Sequence, residues 1–338
     1  MQRLVSAISA ATSELLGSGS PEPPLLITEM RTALSIKEQN DCLNVRFFVH
    51  IAEDTQFSQH PENKQPNRCQ NIGTGTEMGM LKTQFIKMTR DTKIAFITGG
   101  NRGLGLQTAR ELGHLGILVV IGSRDGERGK AAAATLRSEG VAAESLLCDV
   151  TKPKDHRAVR DYFEQRYGRL DILINNAGVS MESEEPSSTP PVNRTSAISP
   201  MILRETFETN FFGPVALTQT LLPLVRKAPA GRIVNLSSIL GSLTLHSDPR
   251  SHIYLYKVFA YDASKTALNA FTVHLAHELR ETPIKVNSAH PGWVKTDMGG
   301  SDAELEVAEG AKTSAQLATL PANGPTGGYF YLRESLPW

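Results

Sequence analysis

The chain has 338 residues, 40% of them hydrophobic and 21% charged, a globular composition that excludes collagen, low-complexity disorder and a membrane bundle. Its 35 Lys and Arg balance its 35 Asp and Glu, so charge gives no support for a nucleic-acid footprint or an anionic-membrane surface. Cys42, Cys69 and Cys148 are too few and scattered for a disulfide framework, and no apolar run reaches transmembrane length; a cytoplasmic protein with reduced thiols is expected.

Residues 1–87 differ from the rest. Glycines and prolines come early (Gly17, Gly19, Pro21, Pro23, Pro24), and 56–71 is polar. Met1 to Leu16 has the pattern of a short amphipathic helix; Arg3, its serines and a late first acid, Glu14, resemble a transit peptide only weakly, since no second arginine follows nearby. Leu43, Val45, Phe47, Val49 and Ile51 alternate at strand period, but one strand cannot bury its face alone. Cys42, His50, His60 and Cys69 lack the short paired spacing of a zinc site, so no metal is expected. The segment is expected to be a poorly structured extension or a misassigned translation start, with a regulatory or targeting appendage as the rival.

From Met88 the pattern changes to apolar strands alternating with amphipathic helices. Strands are predicted at Ile94–Thr98, Ile117–Gly122, Glu144–Cys148, Asp171–Asn175, Arg232–Ser237, Lys285–Ala289 and Gly328–Leu332. Helices are predicted at Gly103–Leu115, Glu127–Glu139, Asp155–Tyr167, Leu203–Val225, Ala260–Arg280 and Asp302–Leu320. Short, continuously apolar strands with helices between them indicate a parallel sheet covered on both faces. The expectation for 88–338 is one α/β domain, a Rossmann-type doubly wound sheet of about seven strands.

The first strand leads into Thr98–Gly99–Gly100–Asn101–Arg102–Gly103–Leu104–Gly105 and then a helix. Glycines at such a junction bring backbone N–H groups close to a ligand, and the helix N-terminus favours a pyrophosphate. Gly99, Gly103 and Gly105 give G-x-x-x-G-x-G rather than G-x-G-x-x-G. This loop resembles the T-G-x-x-x-G-x-G of the short-chain dehydrogenase/reductase family, whose motifs recur in order over about residues 92–300.

The second strand ends at Ser123–Arg124. An acid there would bond a ribose diol and favour NAD. A hydroxyl beside a guanidinium suits a 2′-phosphate instead, with Arg102 joining from the phosphate loop. Either arginine alone reads equally as solvated surface; the two at flanking loops favour NADPH over NAD.

The family resemblance implies further roles. Asp149, followed by Val150, would contact the adenine. Asn175–Asn176–Ala177–Gly178 matches N-N-A-G and would brace the sheet and line the adenosine side, Asn176 nearer the cofactor. Pro291, Gly292, Val294 and Thr296, from P-G-x-x-x-T, would face the nicotinamide and diphosphate. His290, just before them, reads as a strand-end residue rather than a catalyst.

Tyr261 and Lys265 match Y-x-x-x-K and project from one helix face a turn apart. A free phenol, with a pKa near ~10, holds its proton too tightly to act as a base, and a neighbouring ammonium is expected to lower that value. A phenol so tuned can protonate a developing alkoxide. By resemblance Ser238, rather than Ser237, bonds the substrate carbonyl, and Asn210 sits at a helix kink holding a water that leads to the lysine. Asn210, Ser238, Tyr261 and Lys265 form the expected catalytic tetrad, with Tyr261 and Lys265 also touching the coenzyme.

The implied function is NADPH-dependent reduction of a small-molecule carbonyl, without metal. Its rivals are an NADP-dependent alcohol dehydrogenase running oxidatively and a non-catalytic NADP-sensing protein. The interval between Ser238 and Tyr261 is wider than the compact family pattern, and Met181–Met201 is a second expansion; both are expected to shape the substrate pocket. With Asn210–Phe211–Phe212–Gly213, the wide interval most resembles the carbonyl-reductase branch. Monomer and homo-oligomer both fit.

Overall fold

A computed structural model describes residues 92–182 and 195–338. The extension 1–87, with its expected helix and strand, lies outside the described residues, as does most of the Met181–Met201 expansion.

Eight strands form one sheet in the order β3-β2-β1-β4-β5-β6-β7-β8. They are β1 Ile94–Thr98, β2 Leu118–Ser123, β3 Ala143–Leu147, β4 Ile172–Asn175, β5 Arg232–Leu236, β6 Lys285–Ala289, β7 Tyr329–Tyr331 and β8 Glu334–Ser335. All pairs are parallel except β7–β8. The two-residue β8 is the strand the sequence reading did not foresee. It is too short to show a period, and its exposed Glu334 and Ser335 carry no apolar signal.

The helices are α1 Gly103–His114, α2 Gly126–Ser138, α3 Pro153–Tyr167, α4 Pro200–Phe207, α5 Gly213–Val225, α6 Leu243–Ser247, α7 Phe259–Glu278 and α8 Val307–Ala318. Strand alternation divides the core into two layers. Ala95, Ile97, Val119, Ile121, Ile172 and Ile174 face one side, under α1, α2 and α8. Ile94, Phe96, Val120, Leu173, Ile233 and Val286 face the other, under α3, α5 and α7. Each apolar side chain buried this way is worth roughly 1.5–3 kcal/mol, so both faces of the sheet are fully used.

Local signals set the helix ends. Asp125 caps α2 by accepting from the Glu127 and Arg128 N–H groups. Pro153 opens α3 and Gly168, in the left-handed region, ends it. Two helices differ from expectation. The predicted Leu203–Val225 helix is two helices joined by a π-helical turn, Glu208–Phe212, because the Asn210 side chain bonds outside its own helix. The predicted Asp302–Leu320 helix begins only at Val307: the Leu305 backbone instead bonds Trp293 and Lys295, and Glu306 with Glu309 then forms a capping box.

The chain runs outward from β1 to β3, then returns to lay β4 beside β1. The crevice at this reversal, beyond the carboxyl ends of the strands, is where such sheets bind ligands. No described helix is long and apolar enough to cross a membrane. Among the described residues no group of three His, Cys, Asp or Glu is placed to hold a metal ion.

Candidate active site

The loop after β1 is shaped for an anion. Gly99 and Gly103 have φ of +64° and +53°, a region side chains avoid. No side chain caps α1, so its first N–H groups are available to a diphosphate. The N-N-A-G segment builds the floor: Asn176 Nδ2 donates to the Thr98 carbonyl at 2.7 Å and the Gly99 carbonyl at 3.2 Å. The Asn176 and Ala177 N–H groups both reach Thr98 Oγ1 at 3.0 Å. A Cβ on Gly105 would lie 2.5 Å from Asn176 Nδ2 and from the Gly99 carbonyl, so only glycine lets the helix meet the loop this closely.

The Pro291–Thr296 loop completes this cradle. Thr296 Oγ1 accepts the Gly299 N–H at 3.1 Å, and its methyl would stand 3.6 Å from a Cβ on Gly103. Val294 is buried, at the place where Leu104 and Gly310 meet. Pro291 and Gly292 are half-buried at the loop's start, and half-buried Asn101 lies in the glycine loop. These open donors and bare glycines fit a dinucleotide's diphosphate.

At the adenosine end the expectations divide. Arg124 is exposed at the end of β2. Asp149 lies close by: burial works to raise its carboxyl, but the Thr151 N–H and hydroxyl, then Lys152 and Arg124, hold it below the usual range. Val150 is buried and its carbonyl accepts from His156 Nε2 at 2.7 Å. Two side chains depart from the sequence reading. Ser123 is buried, and its hydroxyl closes a turn, donating to the Asp125 carbonyl at 2.7 Å and accepting the Asp125 N–H at 3.2 Å. Arg102 pairs with Asp297 of the loop after β6, two exposed opposite charges within reach; such a pair is worth little.

A buried polar network sets α7 against the sheet. Asn175 Nδ2 donates to Thr218 and to Asn235 Oδ1, Asn235 Nδ2 donates to Thr272 Oγ1, and Ser288 Oγ donates to the same Thr272 oxygen, all at 2.8–2.9 Å. The network joins β4, β5, β6, α5 and α7. It fixes the height of α7, and so of Tyr261 and Lys265.

The four expected catalytic residues converge. Ser238 Oγ stands in hydrogen-bond reach of the Tyr261 phenol. Lys265 Nζ lies 5.5 Å from the Tyr261 ring centroid and donates to the Leu236 carbonyl at 2.8 Å. Asn210 Oδ1 accepts the Val179 N–H at 2.8 Å, while Nδ2 donates to the Val179 carbonyl at 2.8 Å and to Ser264 Oγ at 3.0 Å. A Cβ on Gly178 would lie 3.4 Å from Asn210 Oδ1 and 3.5 Å from Lys265 Nζ. The bare face of Gly178 thus adjoins both the amide and the amine.

The ionisation of the pair corrects the sequence reading. The phenol does not end below its ordinary value. Burial dominates, pushing Tyr261 up to about 12 despite the bond from Ser238, while Asp262 adds repulsion. Burial likewise holds Lys265 down to about 8. At neutral pH the phenol keeps its proton and the amine is mostly charged, the state a proton donor needs. Cys148 is buried and pushed up to about 12, chiefly by burial, an inert core thiol.

Three contributors escaped the sequence reading. Ser264 serves Asn210 from the middle of Y-x-x-x-K. Glu182 accepts the Tyr261 N–H at 3.0 Å, a long-range contact with no sequence signal. Asp297 pairs with Arg102 of the phosphate loop, and only its place one residue after Thr296 hinted at it.

Comparison with known proteins agrees with this arrangement. The rat (Rattus norvegicus) NADPH carbonyl reductase 1 is 32% identical over 290 residues, spanning 74% of this chain and all of the rat protein. The solved carbonyl reductase Sniffer of D. melanogaster superposes with a TM-score of 0.61 at 30% identity, covering 73% of this chain and 99% of Sniffer. The NADPH-bound carbonyl reductase from chicken fatty liver gives 0.62 at 26% identity, with 73% and 99% coverage. The short chain dehydrogenase family profile matches residues 93–306, from the first strand through the glycine loop, the tetrad and the P-G-x-x-x-T loop. With strands β1 to β6, the anion cradle and the tetrad all falling inside that span, the chain belongs to the short-chain dehydrogenase family.

Proposed function

We propose that the protein is an NADPH-dependent carbonyl reductase acting on a small ketone, aldehyde or quinone. The observation that carries this is the convergence of Ser238, Tyr261 and Lys265 beside an anion cradle. Bound NADPH supplies a hydride to the carbonyl carbon. Ser238 and Tyr261 donate hydrogen bonds to the carbonyl oxygen, and Tyr261 gives it a proton as negative charge develops there. Lys265 places its ammonium beside the phenolate so formed and would hold the nicotinamide ribose. A water at the Gly178 face, held by Asn210, returns the proton.

The substrate is apolar in this reading. Met181, Leu243, Trp293 and Met298 are exposed on the segments following β4, β5 and β6, where specificity resides in such sheets. The test is NADPH consumption with benzaldehyde, acetophenone and menadione offered separately. Turnover with at least one is expected; a protein that binds NADPH and consumes it with none is a sensor instead.

Arg124 is the cation proposed for the 2′-phosphate. Arg124→Ala is expected to raise KM for NADPH about tenfold, the scale of one charge-assisted bond, while leaving that for NADH unchanged. Steady-state kinetics with both coenzymes checks this. Equal effects on the two would remove Arg124 from coenzyme selection.

A further inference from the structure

The turn that presents Ser238 is held in an unusual way. After β5 the chain makes a 3₁₀ turn, Ile239–Gly241, and Ser238 Oγ accepts the Leu240 N–H at 3.3 Å. That bond occupies a lone pair of the oxygen, so the hydroxyl proton, directed at Tyr261 here, can turn to a substrate oxygen. The turn's own backbone groups are then taken up from three places. Gly241 gives its carbonyl to Thr266 Oγ1 at 3.0 Å and Asn269 Nδ2 at 3.4 Å, both on α7. The Ile239 N–H meets His290 Nδ1 at 3.1 Å, at the end of β6. The Leu240 carbonyl meets His246 Nε2 at 2.9 Å, on α6.

The chemistry of these partners fixes both histidines. An N–H only donates, so His290 Nδ1 is bare and its proton sits on Nε2. A carbonyl only accepts, so His246 carries its proton on Nε2. Lys257 Nζ, 3.0 Å from His246 Nδ1, donates there and requires that nitrogen to be bare as well. Both rings are therefore neutral Nε2–H tautomers, one accepting from the turn and one donating to it.

The surroundings keep them neutral. His290 is buried, with the Tyr331 ring 5.4 Å away. Burial and the adjacent His252 hold it down to about 4. Around His246 stand Lys257 and the Asp262 carboxyl, whose Oδ2 lies 3.4 Å from Nε2. Burial first, and then Lys257, outweigh the Leu240 bond and keep His246 below its usual range.

We propose that His246 and His290 are positioning residues for Ser238, a two-histidine clamp that fixes the turn so that the serine hydroxyl addresses the same oxygen as Tyr261. The proposal rests on the reading of Ser238 and Tyr261 as the carbonyl-binding pair. It also gives the wide Ser238–Tyr261 interval, which holds His246, a use beyond lining a pocket. Neither histidine touches the reacting atoms, and each acts only through the turn.

The test is a double-mutant cycle in the full-length protein, with menadione or another accepted carbonyl as substrate. His290→Leu removes the acceptor and keeps the bulk, and is expected to lower kcat roughly tenfold with KM for NADPH unchanged. His290→Asn returns an acceptor at the Nδ1 position and is expected to recover most of that loss. His246→Gln against His246→Leu makes the same comparison for the donor, and it carries the test if His290→Leu does not fold. In a Ser238→Ala background the histidine changes are expected to cost nothing more, because groups acting through one residue are not additive. Unchanged kcat in both leucine variants, or the same loss with and without Ser238, overturns the clamp. If Ser238→Ala itself keeps full rate, the failure lies in the underlying reading of the serine.

Discussion

Tyr261→Phe is expected to lower the rate of carbonyl reduction by roughly two to four orders of magnitude, the usual contribution of a positioned general acid, while NADPH still binds. The phenylalanine keeps the ring that packs half-buried on α7 and loses only the hydroxyl. The diphosphate cradle is untouched, since it is built from the glycine loop, Asn176 and Thr296. Ser238 still bonds the substrate oxygen, but an alkyl alcohol is a much weaker proton donor than a phenol. Coenzyme fluorescence titration and single-turnover NADPH oxidation separate the two properties. A variant that binds NADPH and retains most of its rate assigns the proton to another group.

Lys265→Met is the second large effect, expected at roughly hundredfold or more, because the ammonium stabilises charge that exists only as the proton leaves Tyr261. Methionine fills nearly the same space, so α7 keeps its packing, but the bond to the Leu236 carbonyl is lost. The variant also has a distinct pH signature. Lys265 is held down to about 8 by burial, so the useful ammonium is present below that pH and disappears above it. The wild-type reduction rate should therefore fall as pH rises past about 8, far below the point near 12 where Tyr261 itself would titrate. In Lys265→Met that descending limb should be absent. A limb unchanged in the variant would show that another group controls it.

Much of the fold is written in local pattern. The strands Ile94–Thr98 and Lys285–Ala289 begin and end where the sequence places them, the first as a continuous apolar run before the glycine loop, and both core layers follow from the alternation of side chains along the strands. The glycine loop was legible because backbone geometry there excludes side chains. What was hidden depends on contacts between distant parts of the chain. The π-helical turn exists because Asn210 spends its amide on Val179 and Ser264, and a helical sequence pattern carries no trace of that. The start of α8 is delayed by a backbone bridge from Leu305 to the loop after β6. Spacing put Lys265 one turn from Tyr261 but could not weigh burial against attraction, and burial prevails. Ser123 read as a ligand for phosphate from its place after β2; only the structure shows its hydroxyl closing the turn to Asp125.

The same distinction applies to histidine. His290 read as a strand-end residue, and it is one, ending β6. Its meaning comes from the turn after the neighbouring strand, where the Ile239 N–H donates to its ring. A sequence shows which side chains are available, and the topology determines which backbone groups they must satisfy.

The central claim is that this chain carries a hydride from NADPH to a carbonyl carbon while Tyr261 supplies the proton. It is tested most directly with NADPH deuterated at the transferring position of its nicotinamide ring, the alcohol product being analysed by mass spectrometry. The account predicts deuterium on the former carbonyl carbon for the wild-type protein and almost no labelled product from Tyr261→Phe in the same time. NADPH consumed without label reaching the alcohol, or labelled product formed equally fast without the Tyr261 hydroxyl, would contradict it.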